Sequence, residues 1–413
     1  LWTKTFNQIE FPHIWIVGDK ALVEMLDEHT EEMNSVMNET WDLVVADELF
    51  SVSSYALALK AHQQGRPFVT LSTCIPTNLI KYHLSLGTPF AIRPSMYHRT
   101  AVPYEIEFFA SRLHSTVRET HQAIRTQYVT GNVAVKGLNK LGFFDFDLSQ
   151  LATKAAFYFL DDIESIIIPS PVSTGIAEVG FNCPTIKDLP RDYAEFVNDP
   201  ISKGTILVAF GSNVVWDYAP QYTLDTFTDA MNRLREYRII FSYNGRMDRI
   251  HQLGAHVMVT RWAPQKEILG HNRTVLFVSH GGLKSLKDTI CGGVPVVYVP
   301  LFAEQSHNGE VARQAGFAEI LQKNYMTADL FEEKVRLVLE TPRYKEAAIR
   351  IRKFYLDRII PSLDLAEFYI RRSLKTSPRS PVFKRKGMFI SLFSHIYCGH
   401  FLIIAVLLYV LSR

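Results

Sequence analysis

Short apolar runs bounded by glycine, proline and polar residues recur along the chain, separated by segments long enough for helices. Residues 42–47 (DLVVAD) predict a short buried parallel strand ending in a carboxylate. A helix is expected over 53–62 and a second strand over 67–71. Residues 76–104 are rich in Pro, Tyr and His and read as loops, of the kind that build pockets at strand C-termini. Residues 105–129 and 148–160 read as helices, and 183–203 reads as a linker holding Pro184, Pro190 and Pro200. Beyond it the pattern is cleaner. Strands are expected over 205–210, 238–243, 257–262, 275–279 and 294–299, each separated by a helix or turn of suitable length. That is a βαβ series with a parallel sheet. A long helical stretch over 344–375 is interrupted at Pro361. The run 389–411 (FISLFSHIYCGHFLIIAVLLYVL) has no Asp, Glu, Lys or Arg and is long enough to cross a bilayer as a helix.

Composition narrows this picture. A chain of 413 residues with 47% apolar residues forms two or more domains with a large core. A net charge of +2 argues against nucleic acid as a partner, because phosphate binding needs a concentrated basic face. Cys74, Cys183, Cys291 and Cys398 form no CxxC pair, which argues against zinc and leaves disulfide pairing open. There is no GxGxxG for a nicotinamide cofactor, and no Asp-x-Asp in the second half to hold a metal. The start, Leu1-Trp2-Thr3, carries neither an initiator Met nor a signal-peptide pattern, so the chain is expected to begin inside a domain.

The chemistry concentrates between Trp262 and Asn308. After the strand 275–279 come His280, Gly281 and Gly282, then a helical pattern with Ser285 and Asp288. The glycines admit a ligand close to the backbone, and a helix N-terminus offers free N–H groups to a diphosphate. By itself this is also an ordinary strand-to-helix turn. Upstream, Trp262 and Gln265 supply an indole to stack on a base and an amide to pair with its edge, although a lone Trp also fits a core. Downstream, Glu304 and Gln305 suit sugar hydroxyls, although alone they read as surface polar residues.

Taken together, Trp262-Ala263-Pro264-Gln265, His280-Gly281-Gly282 and Pro300-Leu301-Phe302-Ala303-Glu304-Gln305 resemble the ordered signature of the UDP-glycosyltransferase family. Phe210-Gly211-Ser212 resembles the family's opening loop of the donor domain, and the terminal apolar run resembles the anchor of its animal, glucuronosyltransferase-type branch. The resemblance implies an α/β fold of two facing Rossmann-like domains, GT-B type, with a C-terminal transmembrane helix. It divides the chain into a partial acceptor-binding domain (1–190), a UDP-sugar-binding domain (204–345), helices packing back on both (346–376) and a membrane span (389–411). It implies that Trp262 stacks on uracil and Gln265 contacts it. Ser212, His280, Gly281, Gly282 and Ser285 hold the diphosphate, Asp288 the ribose, and Glu304 and Gln305 the sugar. Asp47 orients a catalytic His.

The implied reaction is inverting transfer of a hexose or hexuronic acid, glucuronate in the first place, from a UDP-sugar co-substrate to a small lipophilic acceptor. No further cofactor or metal is implied, and homo-oligomerisation is left open. The implied location is the endoplasmic reticulum membrane, facing the lumen. Three positions depart from the pattern: Lys284, where the family has Asn or Gly, and Asp288 and Glu304, each changed in carboxylate length. The family's general-base His lies far upstream of the position of Asp47, so it is expected to lie before Leu1. His13 and His29 do not stand in its context. Lys384-Arg385-Lys386 precedes the apolar run, which by charge alone favours the opposite orientation. A non-catalytic UDP-sugar-binding membrane protein, an inactive fragment and an epimerase on a related fold are the competing readings.

Overall fold

The computed structural model describes residues 2–3, 12–49, 51–86, 107–169, 171–376 and 384–412. Within them the chain builds two parallel sheets. The first holds β1 (Val44–Asp47), β2 (Phe68–Ser72), β3 (Tyr158–Leu160) and β4 (Ile176–Glu178), in the order β1-β2-β3-β4. The expected burial of the first strand is only half met. Among the described residues β1 lies at the sheet's edge, and Val45 is 48% exposed. The helix Val52–Gln63 links β1 to β2, its first turn capped by the Ser51 hydroxyl.

Two expectations in this half need correction. The segment 148–160 is not one helix: a helix ends at Thr153, and Tyr158–Leu160 is a strand between β2 and β4. Bulky aromatics suit that pleated, two-sided burial, and Phe157 and Phe159 pack against Tyr369 from below the sheet. The supposed loop region after Pro76 contains a helix, Asn78–His83, capped by Thr77. The rest of that region, 87–106, lies outside the described residues.

The second sheet has six strands: β5 (Thr205–Ala209), β6 (Arg238–Ser242), β7 (Val257–Thr260), β8 (Thr274–Ser279), β9 (Val296–Tyr298) and β10 (Ala318–Ile320). Their order is β10-β9-β8-β5-β6-β7. Five were expected. β10 escaped notice because three residues, AEI, are too few to show a period. The order places β5 and β8 side by side although the chain leaves β5 toward β6 and returns to β8 from the other side. That reversal opens a crevice at the carboxyl ends of β5 and β8, where open α/β sheets bind ligands. The core beside β5 is aromatic: the buried Trp216 ring packs against Phe210, Phe227 and Phe241.

The interruption at Pro361 appears as two helices, Pro342–Leu356 and Ser362–Lys375. The first reaches the segment between the sheets, where the Tyr355 hydroxyl donates to the Gly180 carbonyl at 2.7 Å. The second lays Tyr369 against the first sheet, 4.7 Å from the Phe157 ring.

The expected single span over 389–411 is not formed. Tyr397 takes a left-handed backbone (φ 57°) and separates the short helix Leu392–His395 from Cys398–Leu411. The latter's 14 residues extend ~21 Å, short of the ~30 Å hydrocarbon core. Among the described residues no helix is long and apolar enough to cross a membrane.

Candidate functional site

The site grows from the crevice between β5 and β8. Gly211 follows β5 with φ 70°, and Gly281 follows β8 with φ 89°, conformations that favour glycine. Between these turns lies the His280 imidazole. A Cβ on Gly211 would stand 3.0 Å from its Cε1, and one on Gly282 2.8 Å from its Nε2. The Phe210 ring stacks at 6.2 Å. Burial pulls the His280 pKa down to about 4, so the ring is neutral at physiological pH. Gly282 is the N-cap of the helix Leu283–Gly292 and supplies no side-chain cap. A helix start of this kind offers its first-turn N–H groups, with that of Ser285 among them, to an anion; that of Leu283 is met here by the Glu304 carboxyl. Ser212 is exposed beside Gly211.

Two hydrogen bonds turn three separate sequence motifs into one site. The Gln265 amide donates to Asp288 at 2.8 Å, tying the Trp262 loop to the helix that follows His280. The Asn308 amide donates to the Gly281 carbonyl at 2.9 Å, tying the Glu304 segment to the same turn. Trp262 is 72% exposed, with an open ring face. Glu304 is the N-cap of the helix Gln305–Gln314. Burial raises its carboxyl, while backbone N–H groups, including that of Leu283, pull it back. Glu304 therefore sits against the start of the helix Leu283–Gly292.

Three of the side chains expected to meet the donor have partners within the chain. The amide of Gln265 is directed at Asp288, because the helix Gln265–Gly270 packs on Leu283–Gly292. Burial raises the Asp288 carboxyl and this bond moderates the rise. The side-chain Oε1 of Gln305 accepts from the N–H groups of Leu301 and Phe302, at 2.9 and 3.1 Å. It shapes the loop that presents Glu304. Asn308 was missed as a site residue; its position four residues after Glu304, on one helix face, was the available signal.

The first sheet presents its own carboxyl edge to this crevice. Asp47 ends β1 and accepts a hydrogen bond from the Thr73 hydroxyl at 3.2 Å. Its neighbour Glu48, overlooked in the sequence, is fully buried. Burial lifts its pKa to about 7, and a hydrogen bond from the Tyr158 hydroxyl lowers it in part. The Cys74 thiol lies between the two halves. Burial pushes it up, the charges of Glu304, Glu48 and Asp47 push it further, and Lys284 acts against them. Asp161, just past β3, receives Lys284 and Lys287 from the opposite half. A disulfide joins Cys183 to Cys291, with Cα atoms 5.6 Å apart, and fastens the segment after β4 to the helix Leu283–Gly292.

Comparison with known proteins fits this geometry. Residues 19–375 match the family model described as UDP-glucoronosyl and UDP-glucosyl transferase. UDP-glucuronosyltransferase 1A9 of Mus musculus is 30% identical over 373 residues, covering 88% of this chain and 65% of that protein. UDP-glucuronosyltransferase 3A1 of Bos taurus is 28% identical, covering 79% of this chain and 62% of that protein. UDP-glucuronosyltransferase 1-2 of Mus musculus is 31% identical, but the match covers 51% of this chain and 38% of its own length. The chain thus spans less than two thirds of these relatives.

Among solved structures, the glycotransferase of kitacinnamycin superposes with a TM-score of 0.60 at 18% identity, over 86% of this chain and 83% of the other. CalG4, the calicheamicin glycosyltransferase, does so at 0.54 and 18%, over 86% and 80%. The fold is therefore that of the GT-B glycosyltransferases, two parallel α/β halves meeting at their carboxyl edges. On the family match across most of its length, the chain belongs to the UDP-glucoronosyl and UDP-glucosyl transferase family.

Proposed function

We propose that the chain carries the donor site and part of the acceptor site of an inverting glycosyltransferase. It moves a hexose or hexuronic acid, glucuronate in the first place, from a UDP-sugar to a hydroxyl of a small lipophilic acceptor. The observation that carries this reading is the pair of bonds Gln265–Asp288 and Asn308–Gly281, which gather the three motifs around the helix start after His280. The open face of Trp262 suits stacking on uracil, and Asp288 suits the ribose. Ser212, the neutral His280 and the first-turn N–H groups beside Ser285 suit the diphosphate. Glu304 and the remaining amide nitrogen of Gln305 suit the sugar. The lipophilic acceptor rests on the family resemblance; the small cavity on this side mixes Pro76, Leu84, Leu160 and Ile176 with the charged Lys81, Asp162 and Glu178. The glucuronyl preference is supported by the names of the relatives.

In the reaction, a His oriented by Asp47 takes the acceptor's hydroxyl proton. The oxygen forms a bond to the anomeric carbon as the bond to UDP breaks on the opposite face, and configuration inverts. The helix dipole and N–H groups after Gly282 stabilise the charge that develops on the departing diphosphate. The test is His280→Ala in the full-length protein, assayed with UDP-glucuronate and UDP-glucose. Turnover is expected to fall by about a hundredfold, as for loss of one transition-state hydrogen-bond partner. Unchanged UDP-sugar affinity and turnover would sink the assignment.

The protein attaches to the endoplasmic reticulum membrane from the lumenal side. Support comes from the helix Cys398–Leu411, whose Phe401, Leu402, Ile403 and Leu407 side chains stand exposed. The Cys183–Cys291 bond suits an oxidising compartment. Microsomal fractionation checks this: release of the protein by alkaline carbonate would refute attachment through an inserted helix.

A further inference from the structure

The departure at Lys284 gains a partner in the structure. Lys284 and Lys287 stand three residues apart on the helix Leu283–Gly292, so both ammonium groups leave the same helix face. They converge on one residue of the other half. Lys284 donates to one carboxylate oxygen of Asp161 and Lys287 to the other. Asp161 directly follows β3, and its backbone N–H continues the pairing with β2 at the Ser72 carbonyl, 3.0 Å away. The carboxylate is thereby fixed to the first sheet while both cations belong to the second half.

The two lysines are not equivalent. The Lys287 side chain is 14% exposed, and Asp162 adds a second negative charge to its surroundings. The Lys284 side chain is 64% exposed and rises from the first turn of the helix, two residues after the Gly282 cap. It shares that turn with the N–H groups assigned to the diphosphate. A lysine stem has four rotatable carbons, so its ammonium can change partner without backbone movement. Asp161 offers one negative charge, whereas a diphosphate at the helix start offers two on a cluster of acceptor oxygens.

We propose that Asp161 sets the affinity for the anionic donor by competing with it for Lys284. Without donor, Asp161 holds both lysines and ties the two halves across the cleft. When a nucleoside diphosphate sugar binds, Lys284 moves from Asp161 to the diphosphate, while Lys287 stays. Donor binding and loosening of the cross-cleft tie are then one event. Asp161 acts through Lys284 and is a positioning residue. This inference rests on the donor-site reading above.

The test measures UDP and uridine binding by calorimetry on the full-length protein, the wild type against Asp161→Asn, Lys284→Met and the double variant. Asp161→Asn is expected to tighten UDP about threefold, because a neutral amide competes weakly for an ammonium. Lys284→Met is expected to weaken UDP about five- to tenfold. In the Lys284→Met background the Asp161→Asn effect disappears. Uridine, which has no phosphate, binds all four proteins alike. Lys284→Met alters an exposed side chain and keeps the test decisive if Asp161→Asn does not fold. A purely structural ion pair would lower the melting temperature of both variants and leave UDP affinity at the wild-type value, which overturns the inference while the donor site stands. A wild type that binds neither UDP nor uridine overturns the donor-site reading and this inference with it.

Discussion

The carboxyl edges of the two sheets each bury an ionisable side chain whose charged form is disfavoured, and they do so with opposite chemistry. In the second half it is His280, wedged between Gly211 and Gly282. In the first it is Glu48, enclosed by Tyr55, Tyr158 and Thr77. Burial is the largest cause in both cases, pulling the histidine down to about 4 and lifting the glutamate to about 7. Low polarity disfavours whichever form is charged, so a base and an acid are driven in opposite directions by the same environment. In the second half the result is a neutral ring beside a helix start that has no side-chain cap. In the first it is a carboxyl that holds the end of β1 in place next to Asp47.

The largest test of this comparison is pH. The stabilisation from His280 is present above its unfolded pKa of 6.5 and lost as pH falls through about 4. That of Glu48 is present below 4.5 and lost as pH rises through about 7. Each is worth on the order of 3 kcal/mol when fully developed. Between these limits the two slopes oppose each other. Glu48→Gln keeps a neutral hydrogen-bonding group and removes only the acid's slope. Its urea midpoint is expected to climb from pH 4 to 6.5 much more steeply than that of the wild type. Parallel curves would mean that Glu48 is not buried as a neutral acid.

A smaller effect sharpens the contrast between a motif fastened from elsewhere and one that stands alone. Asn308→Ala strips the Gly281 carbonyl of its buried partner, at a cost of about 1–3 kcal/mol. UDP affinity is expected to drop with it, since the Gly281 turn is freed. Thr73→Val, which removes the hydroxyl hydrogen bond to Asp47, leaves UDP affinity unchanged. Calorimetric titration of both variants distinguishes them. Equal UDP binding by Asn308→Ala and the wild type would show that the turn holds itself.

Much of the second half was legible in the sequence. Its strands β5 to β8 run for four to six largely apolar residues, and the turn after β8 announces itself through two glycines and a histidine, because the φ of 89° at position 281 favours glycine. The first half was harder to read. β3 and β4 have three residues each, and aromatic residues serve a strand and a helix equally well in so short a window. Tyr397 illustrates the same limit from the other side. An unbroken run of uncharged residues predicts one helix, but a single left-handed residue divides it, and hydropathy carries no record of backbone angle.

By itself, then, the sequence determined the local chemistry: which strands end in glycine turns, which helices follow them, and which family's ordered motifs the chain carries. Those properties depend on neighbours along the chain. The tertiary structure alone decided who meets whom. It set Gln265 on Asp288 and Asn308 on Gly281, and paired Cys183 with Cys291 across 108 residues. It also laid Asp161 between Lys284 and Lys287. Each contact follows from the order β10-β9-β8-β5-β6-β7 and from two sheets facing edge to edge. Strand order is fixed by packing of the whole core, so no window of sequence contains it.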